Sequence, residues 1–126
     1  MFKYVKKGQF FGKDDHARVS ASYGRIYMNE RAYALAGSPE MVSLQYDVEG
    51  KSIAIITAND NEETFKVTRV KNGGAQLCCK YFLIWFLNEQ LGFPADCTVR
   101  FDVSPDREGI CCVVKASVPR RNRKSK

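Results

Sequence analysis

The chain has 126 residues, of which 44% are hydrophobic, and it carries a formal net charge of +6 with a pI near 9.1. This length suits one compact domain, or two small halves that share a core, and an aromatic content of 12% argues against a disordered chain. Because no apolar run is long enough to span a bilayer and no leader segment follows Met1, we expect a soluble, cytoplasmic protein.

The cysteines favour a structural role in a reducing environment. There are five of them, including two adjacent pairs: Cys78, Cys79, Cys97, Cys111 and Cys112. An odd number with adjacent members is untypical of a disulfide framework. Neighbouring strand residues point to opposite faces, which is poor geometry for one metal ion, and the only histidine is His16. We therefore predict reduced core or sheet cysteines, with no metal site and no cofactor.

The first half of the chain combines short strands with one helix. Apolar periodicity and turn residues predict strands at 16–22 and 25–28, a helix at 30–36, and a hairpin of strands at 41–48 and 52–56. Asn29 is a suitable N-cap for the helix, Gly37 is a suitable C-cap, and Pro39 prevents the helix from continuing. This half therefore has the order strand, strand, helix, strand, strand.

The second half repeats this order. Strands are predicted at 64–70, 75–79, 97–103 and 110–114, and a longer and more apolar helix at 80–91. Matching landmarks recur 55 residues apart, namely Gly37 and Gly92, Pro39 and Pro94, and Asp47 and Asp102. One such unit has little core of its own, so we predict that the two halves complete each other as the subunits of a dimer would.

The predicted organisation follows from these elements. It comprises a basic and aromatic N-terminal arm or edge strand (1–15), a first repeat (16–57), an acidic linker (58–63), a second repeat (64–116) and a basic disordered tail (117–126).

The stretch "GRIYMNERAYALAG", Gly24 to Gly37, resembles the AbrB family of swapped-hairpin DNA-binding domains. In that family a Gly-Arg-Ile/Val motif, a short helix, a glycine and a β-hairpin follow one another, and the tandem layout here is similar to that of the MraZ proteins. The resemblance covers about Arg18 to Val114. It implies an α+β, mostly β fold in which two tandem swapped-hairpin-like β-β-α-β-β repeats form one intramolecular pseudo-dimer barrel. Asn29 replaces the family's proline, and Ala75 replaces the arginine in the second copy.

The resemblance implies a double-stranded DNA partner and assigns four basic residues to it. Arg25 matches the arginine of the Gly-Arg motif, Arg18 lies on the preceding strand, and Arg69 and Lys71 precede the second glycine. The basic tail independently suits a polyanionic partner. Its candidate phosphate-binding residues are Arg120, Arg121, Arg123 and Lys124. The alternative for each strand residue is a solvated side chain without a ligand.

The sequence contains no set of residues typical of catalysis. It lacks a Ser-His-Asp set and a phosphate-cradling glycine loop. Asp47 and Asp102 could be paired carboxylates, but a strand-end aspartate before a turn is the better interpretation. We therefore predict that the protein is not an enzyme.

The helix at 80–91 is apolar on nearly all sides. We expect Tyr81, Trp85 and Phe86 to contact a protein partner or a second copy of the chain, the alternative being a central core helix. Two hypotheses remain: a DNA-binding transcription regulator, or a small phage or mobile-element accessory protein that binds and inhibits a protein or nucleoprotein partner. Arginines converging on one face favour the first, whereas scattered arginines beside an apolar patch at Trp85 favour the second.

Overall fold

The computed structural model describes residues 16–58, 63–71, 73–106 and 108–119. Within these ranges nine strands form one antiparallel sheet in the order β5-β3-β4-β9-β8-β1-β2-β7-β6. The strands are β1 (Val19–Ser22), β2 (Arg25–Met28), β3 (Met41–Asp47), β4 (Ser52–Thr57), β5 (Phe65–Lys66), β6 (Thr68–Arg69), β7 (Ala75–Cys78), β8 (Cys97–Asp106) and β9 (Gly109–Pro119). The prediction of a mostly β fold is confirmed.

The sheet curls into a nearly closed barrel because its two outermost strands are consecutive in the chain. β5 pairs with β3, β6 pairs with β7, and a single residue, Val67, joins β5 to β6. The Val67 side chain is buried, and its amide donates to the Glu40 carbonyl at 2.9 Å. This corner divides the strand predicted at 64–70 into two short strands, one at each edge of the sheet. The single segment 65–69 therefore pairs with β3 through β5 and with β7 through β6, so neither β3 nor β7 is left as an unpaired edge strand.

Alternating residues of the strands fill the barrel. β1 buries Val19 and Ala21, β2 buries Ile26 and Met28, and their neighbours in these strands are half-buried or exposed. The same alternation continues on the facing strands, where the buried residues are Ala75, Leu77, Cys97, Val99, Phe101, Ile53, Ile55, Ile110 and Cys112. No charged or polar side chain of the described residues is buried. The interior formed by the described strands is thus largely apolar.

The first helix, α1 (Glu30–Leu35), confirms the helix predicted at 30–36. The Asn29 side chain accepts from the Ala32 amide at 2.9 Å, as expected for an N-cap. At the other end Gly37 has a φ of +94°, and the Ser38 amide donates to the Tyr33 carbonyl at 2.9 Å. Ala32 and Tyr33 are buried, so one side of α1 packs against the barrel.

The second helical segment differs from the predicted α-helix. It begins as α2 (Lys80–Leu83) and continues as a wider π-helix (Ile84–Gln90). Leu83 of α2 is buried, as are Phe86 and Leu87 of the π-helix. A π-helix of this length is rare in proteins. The Leu91 amide donates to the Phe86 carbonyl at 3.0 Å. The Asn88 side chain donates to the carbonyls of Phe93 and Pro94, and these bonds hold the end of the wide helix.

Two predicted boundaries are wrong at the second hairpin. β8 continues through Ser104-Pro105-Asp106, which were predicted to turn, because those residues pair with β9. β9 likewise continues to Pro119, opposite Cys97, so the predicted tail does not begin at 117. A long hairpin gives each strand a partner along its whole length. The arm at 1–15, most of the acidic linker (59–62) and the basic residues from 120 onward lie outside the described residues.

In the part of the chain that the structure describes, no helix is both long enough and apolar enough to cross a membrane.

Candidate nucleic-acid interface

A groove of about 1330 Å³ lies on the outer face of the barrel, between α1 and the β8–β9 hairpin. We call it the basic groove. The chain just before β1, strands β1 and β2, the first turns of α1, and the hairpin all contribute to its walls. It is lined by His16, Ala17, Arg18, Val19, Ser20, Tyr27, Asn29, Glu30, Arg31, Ala34, Arg100, Phe101, Asp102, Val103, Lys115 and Ala116.

The charge of the basic groove is positive. Four permanent cations from four separate parts of the chain line it: Arg18, Arg31, Arg100 and Lys115. Two carboxylates, Glu30 and Asp102, also line it, so the balance is two positive charges. Cations gathered in a recess raise the local concentration of anionic ligands.

Sheet register places Arg100 in the basic groove. Ser20 of β1 lies opposite Tyr27 of β2 on one side and opposite Arg100 of β8 on the other. Residues directly opposite each other point to the same face, so the three side chains share the outer face. The Arg100 side chain is exposed and makes no hydrogen bond, ion pair or ring contact within the described residues. Its guanidinium is therefore available to a ligand.

Asn29 positions the two cations contributed by the first half of the chain. Its Oδ1 accepts from the Arg18 amide at 3.0 Å as well as from the first turn of α1, and its Nδ2 donates to the His16 carbonyl at 2.8 Å. The Asn29 amide in turn donates to the Arg18 carbonyl at 3.0 Å. One side chain thus joins the segment carrying Arg18 to the helix carrying Arg31.

A β-bulge brings Lys115 to the basic groove. Arg100 pairs with Ala116, whereas the next residue, Phe101, pairs with Val114, so Lys115 is the additional residue. The Lys115 Nζ lies 3.8 Å from an Asp102 carboxylate oxygen, and both side chains are about two-thirds exposed. An exposed pair of this kind contributes between about 0 and 1 kcal/mol, so a phosphate can compete for Lys115.

The other predicted DNA-binding residues do not line the basic groove. Arg25 lies at the start of β2, opposite Cys78, and Lys71 lies in the turn after β6. Arg69 is used within the fold: its Nη2 and Nε donate to the carbonyls of Gly73 and Gly74 at 3.0 and 3.3 Å. Of the four predicted body residues, the groove therefore contains Arg18 alone. The four tail residues lie outside the described residues.

The three residues predicted to contact a protein partner have different environments. Phe86 is fully buried, stacked on Phe82 with the ring centroids 5.4 Å apart, so the prediction is wrong for this residue. Trp85 is half-buried and packs edge-on against Tyr46 of β3 at 5.0 Å. Tyr81 is 81% exposed. Only Tyr81 presents most of its surface to solvent.

A second, smaller cavity of about 380 Å³ lies beneath the second helical segment. Its walls are largely apolar and include Leu83, Ile84, Leu87, Cys97 and Val99. No group of acidic, histidine or cysteine residues suited to holding a metal ion occurs among the described residues.

The cysteines are free thiols, as predicted, and three of them are buried. Burial raises the pKa of Cys79 from 9.0 to about 12, with a further contribution from neighbouring Cys78. Burial likewise raises the pKa of Cys112 to about 12, and neighbouring Cys111 adds to the effect. These two thiols are therefore protonated and packed as small apolar groups.

Comparison with known proteins finds no matching family model, no similar curated protein and no similar solved structure. The geometry of the molecule itself therefore carries the functional argument.

The sequence interpretation missed Arg31, Arg100 and Lys115. The sequence did contain an indication for Arg100. In the alternating strand "CTVRFDV" it lies between the buried Val99 and Phe101, so its side chain is predicted to point to the outer face. Arg31 resembles any solvated helix residue. Lys115 enters the groove through a bulge, which the sequence pattern does not indicate.

Proposed function

We propose that the protein is a non-enzymatic, DNA-binding regulatory protein that binds DNA through the basic groove. The observation that carries this proposal is that the four groove cations come from both halves of the chain. Arg18 and Arg31 belong to the first half, and Arg100 and Lys115 belong to the second. Phosphate contacts from a preformed cationic surface supply most of the affinity of such proteins.

We also propose that the two halves are swapped-hairpin β-β-α-β-β repeats related as in a dimer. Strand pairing between the halves supports this, since β1 pairs with β8, β2 with β7, and β4 with β9. The helices support it as well: α1 of the first half packs on β9, and Trp85 and Phe86 of the second half pack on Tyr46 of the first. Each helix therefore packs on the hairpin of the other half.

The test is a titration of labelled DNA, read by fluorescence anisotropy across a series of salt concentrations. The protein lacking residues 120–126 is used beside the full chain, so that the folded body is measured without the basic tail. We expect binding that weakens steeply with salt and survives without the tail, because counterions are released from the phosphates.

Two matched variants test whether the DNA binds at the basic groove. Arg100→Ala removes an unpaired exposed guanidinium of the basic groove, and we expect the affinity to fall by about tenfold with a shallower salt dependence. Lys66→Ala removes an exposed cation on β5, outside the groove, and we expect little change. Equal losses in the two variants, or binding that disappears with the tail, would contradict the proposal.

A second candidate function, a protein-binding accessory protein that inhibits its partner, is supported by a different surface. Tyr81 and Tyr23 are 81% and 70% exposed, and Ile84 is 38% exposed. Large exposed apolar groups near one helix are typical of protein contacts. If DNA binding fails, affinity capture with the wild type and with Tyr81→Ser tests this candidate. Loss of one defined partner in the variant would support it, and identical capture by both proteins would count against it.

A further inference from the structure

The shape of the basic groove restricts the form of nucleic acid that it can accept. Proteins that read duplex DNA insert a protruding helix or ribbon into a major groove about 12 Å wide. Here the cations line a recess between α1 and the β8–β9 hairpin rather than a protruding element. The recess, at about 1330 Å³, is larger than a typical small-molecule site of roughly 300–1,000 Å³. The recess suits a long, thin anionic ligand better than rigid duplex DNA.

One aromatic side chain contributes to the wall of the basic groove. Tyr27 lines the basic groove and is half-buried, in line with Ser20 and Arg100 across the sheet. The far end of its ring lies over Gly74: a Cβ atom there would stand 2.8 Å from the Tyr27 hydroxyl oxygen and 3.1 Å from Cζ. The absence of a side chain at Gly74 therefore leaves the room that the ring occupies.

We infer that the basic groove binds a single strand of DNA, with Arg100 and its neighbours on the phosphates and Tyr27 as a stacking surface for a base. This inference deepens the proposed function and rests on it. Non-specific single-strand sites combine a cationic groove with aromatic rings on which unpaired bases stack. Duplex DNA keeps its bases stacked on each other, so it cannot use Tyr27 in this way.

The first experiment compares two labelled probes at the same salt concentration, with the full chain and with the protein lacking residues 120–126. One is a thymidine oligomer of about 20 nucleotides, and the other is a duplex of the same length. We expect the oligomer to bind at least about tenfold more tightly, since stacking adds to the phosphate contacts. Duplex binding that is equal or tighter overturns the inference and leaves the proposed function standing. If neither probe binds at low salt, both are overturned.

A pair of variants tests the role of Tyr27. Tyr27→Leu should weaken binding of the thymidine oligomer by about tenfold and should weaken duplex binding much less, whereas Tyr27→Phe keeps the ring and should keep the affinity. A general effect of altered folding would weaken both probes together, so the difference between probes identifies stacking. Equal affinity of the Leu and Phe variants for the oligomer overturns the stacking role.

A crosslinking measurement on the wild-type protein gives a test that does not depend on whether Tyr27→Leu folds correctly. An oligomer containing bromodeoxyuridine is irradiated in complex with the protein, and the crosslinked peptide is identified by mass spectrometry. A crosslink at Tyr27 supports the inference, and crosslinks confined to residues outside the basic groove overturn it. A uridine oligomer measured in parallel distinguishes the source of the strand. Tighter binding of uridine than of thymidine overturns the assignment to DNA, and thymidine binding that is equal or tighter supports it.

Discussion

The guanidinium of Arg69 lies 4.7 Å from the centre of the Tyr33 ring, so a residue of β6 stacks on a buried residue of α1. The same side chain donates to the carbonyls of Gly73 and Gly74, and the buried Tyr33 hydroxyl donates to the Pro39 carbonyl at 2.8 Å. Arg69 therefore links the turn before β7 to the helix that carries Arg31. Arg69, which the family resemblance assigns to DNA, therefore also has a role in the fold.

Replacing Arg69 should destabilise the protein. We expect Arg69→Ala to lower the free energy of unfolding by about 1–3 kcal/mol, because two hydrogen bonds and a cation–π contact are lost. Arg69→Lys keeps the charge but not the planar fork, and it should recover only part of the loss. Urea denaturation measures both. Arg25→Ala is the control, and a loss as small as in that exposed residue would show that the Arg69 contacts contribute nothing.

The cap at Asn29 should matter for both stability and binding. Asn29→Ala removes bonds to Ala32, Arg18 and His16, and we expect a loss of about 1–2 kcal/mol or somewhat more in unfolding free energy. Asn29→Asp keeps the acceptor and should retain most of the stability. Denaturant unfolding gives the free energies. DNA affinity should fall in Asn29→Ala, since Arg18 and Arg31 are placed through this side chain. It should fall in Asn29→Asp as well, because that change adds a negative charge to the lining of the basic groove.

Gly109 of β9 lies opposite Ile56 of β4. A Cβ atom there would overlap the carbonyl oxygen of Ile55, and backbone cannot move aside as a flexible side chain can. We expect Gly109→Ala to cost more than about 3 kcal/mol and to open the contact between β4 and β9. Gly92→Ala is the matched control: its φ is +79°, yet no atom lies within 4 Å, so the cost should be about 1 kcal/mol. Thermal unfolding that ranks the two variants equally would refute the steric argument.

The buried thiols predict a loss of stability in alkali. Unfolded Cys79 and Cys112 ionise near 9.0, whereas the folded pKa of each is about 12. The unfolded state therefore releases protons first, and stability that is complete below pH 9 falls as the pH rises towards 12. At about pH 10 the loss is on the order of 1 kcal/mol for each thiol. Between pH 9 and 12 the free energy of unfolding should fall less steeply with pH in Cys112→Ala than in the wild type. An equally steep fall would show that ionisation of Cys112 does not contribute to the loss.

The sole tryptophan reports on the contact between the second helical segment and β3. Trp85 packs edge-on against Tyr46, with an angle of 73° between the rings. We expect Tyr46→Ala to shift the emission maximum to longer wavelength and to increase quenching by acrylamide, because the indole becomes more exposed to water. Tyr81→Ala removes an exposed ring of the same helix and should leave the emission unchanged. An unchanged spectrum in the Tyr46 variant would mean that this contact does not shield Trp85.

Local signals predicted most of the secondary structure. The alternation around Val19 and Ala21 marked a strand with one buried face, and Asn29 with Gly37 marked both ends of α1. These signals involve neighbours in sequence, so they act whatever the rest of the chain does. The π-helix at Ile84–Gln90 and the corner at Val67 were missed. Both depend on packing against distant parts of the barrel, which hydropathy periods do not report.

The same difference between local signals and long-range packing applies to the basic groove. Side-chain chemistry and local periodicity were sufficient to predict the outer and inner faces of the strands, the N-cap at Asn29 and the excess of positive charge. They were not sufficient to predict which cations lie together. The pairing of Ser20 with Arg100 and the bulge at Lys115 join residues that are far apart in the chain, and it is this long-range register that gathers them into one groove.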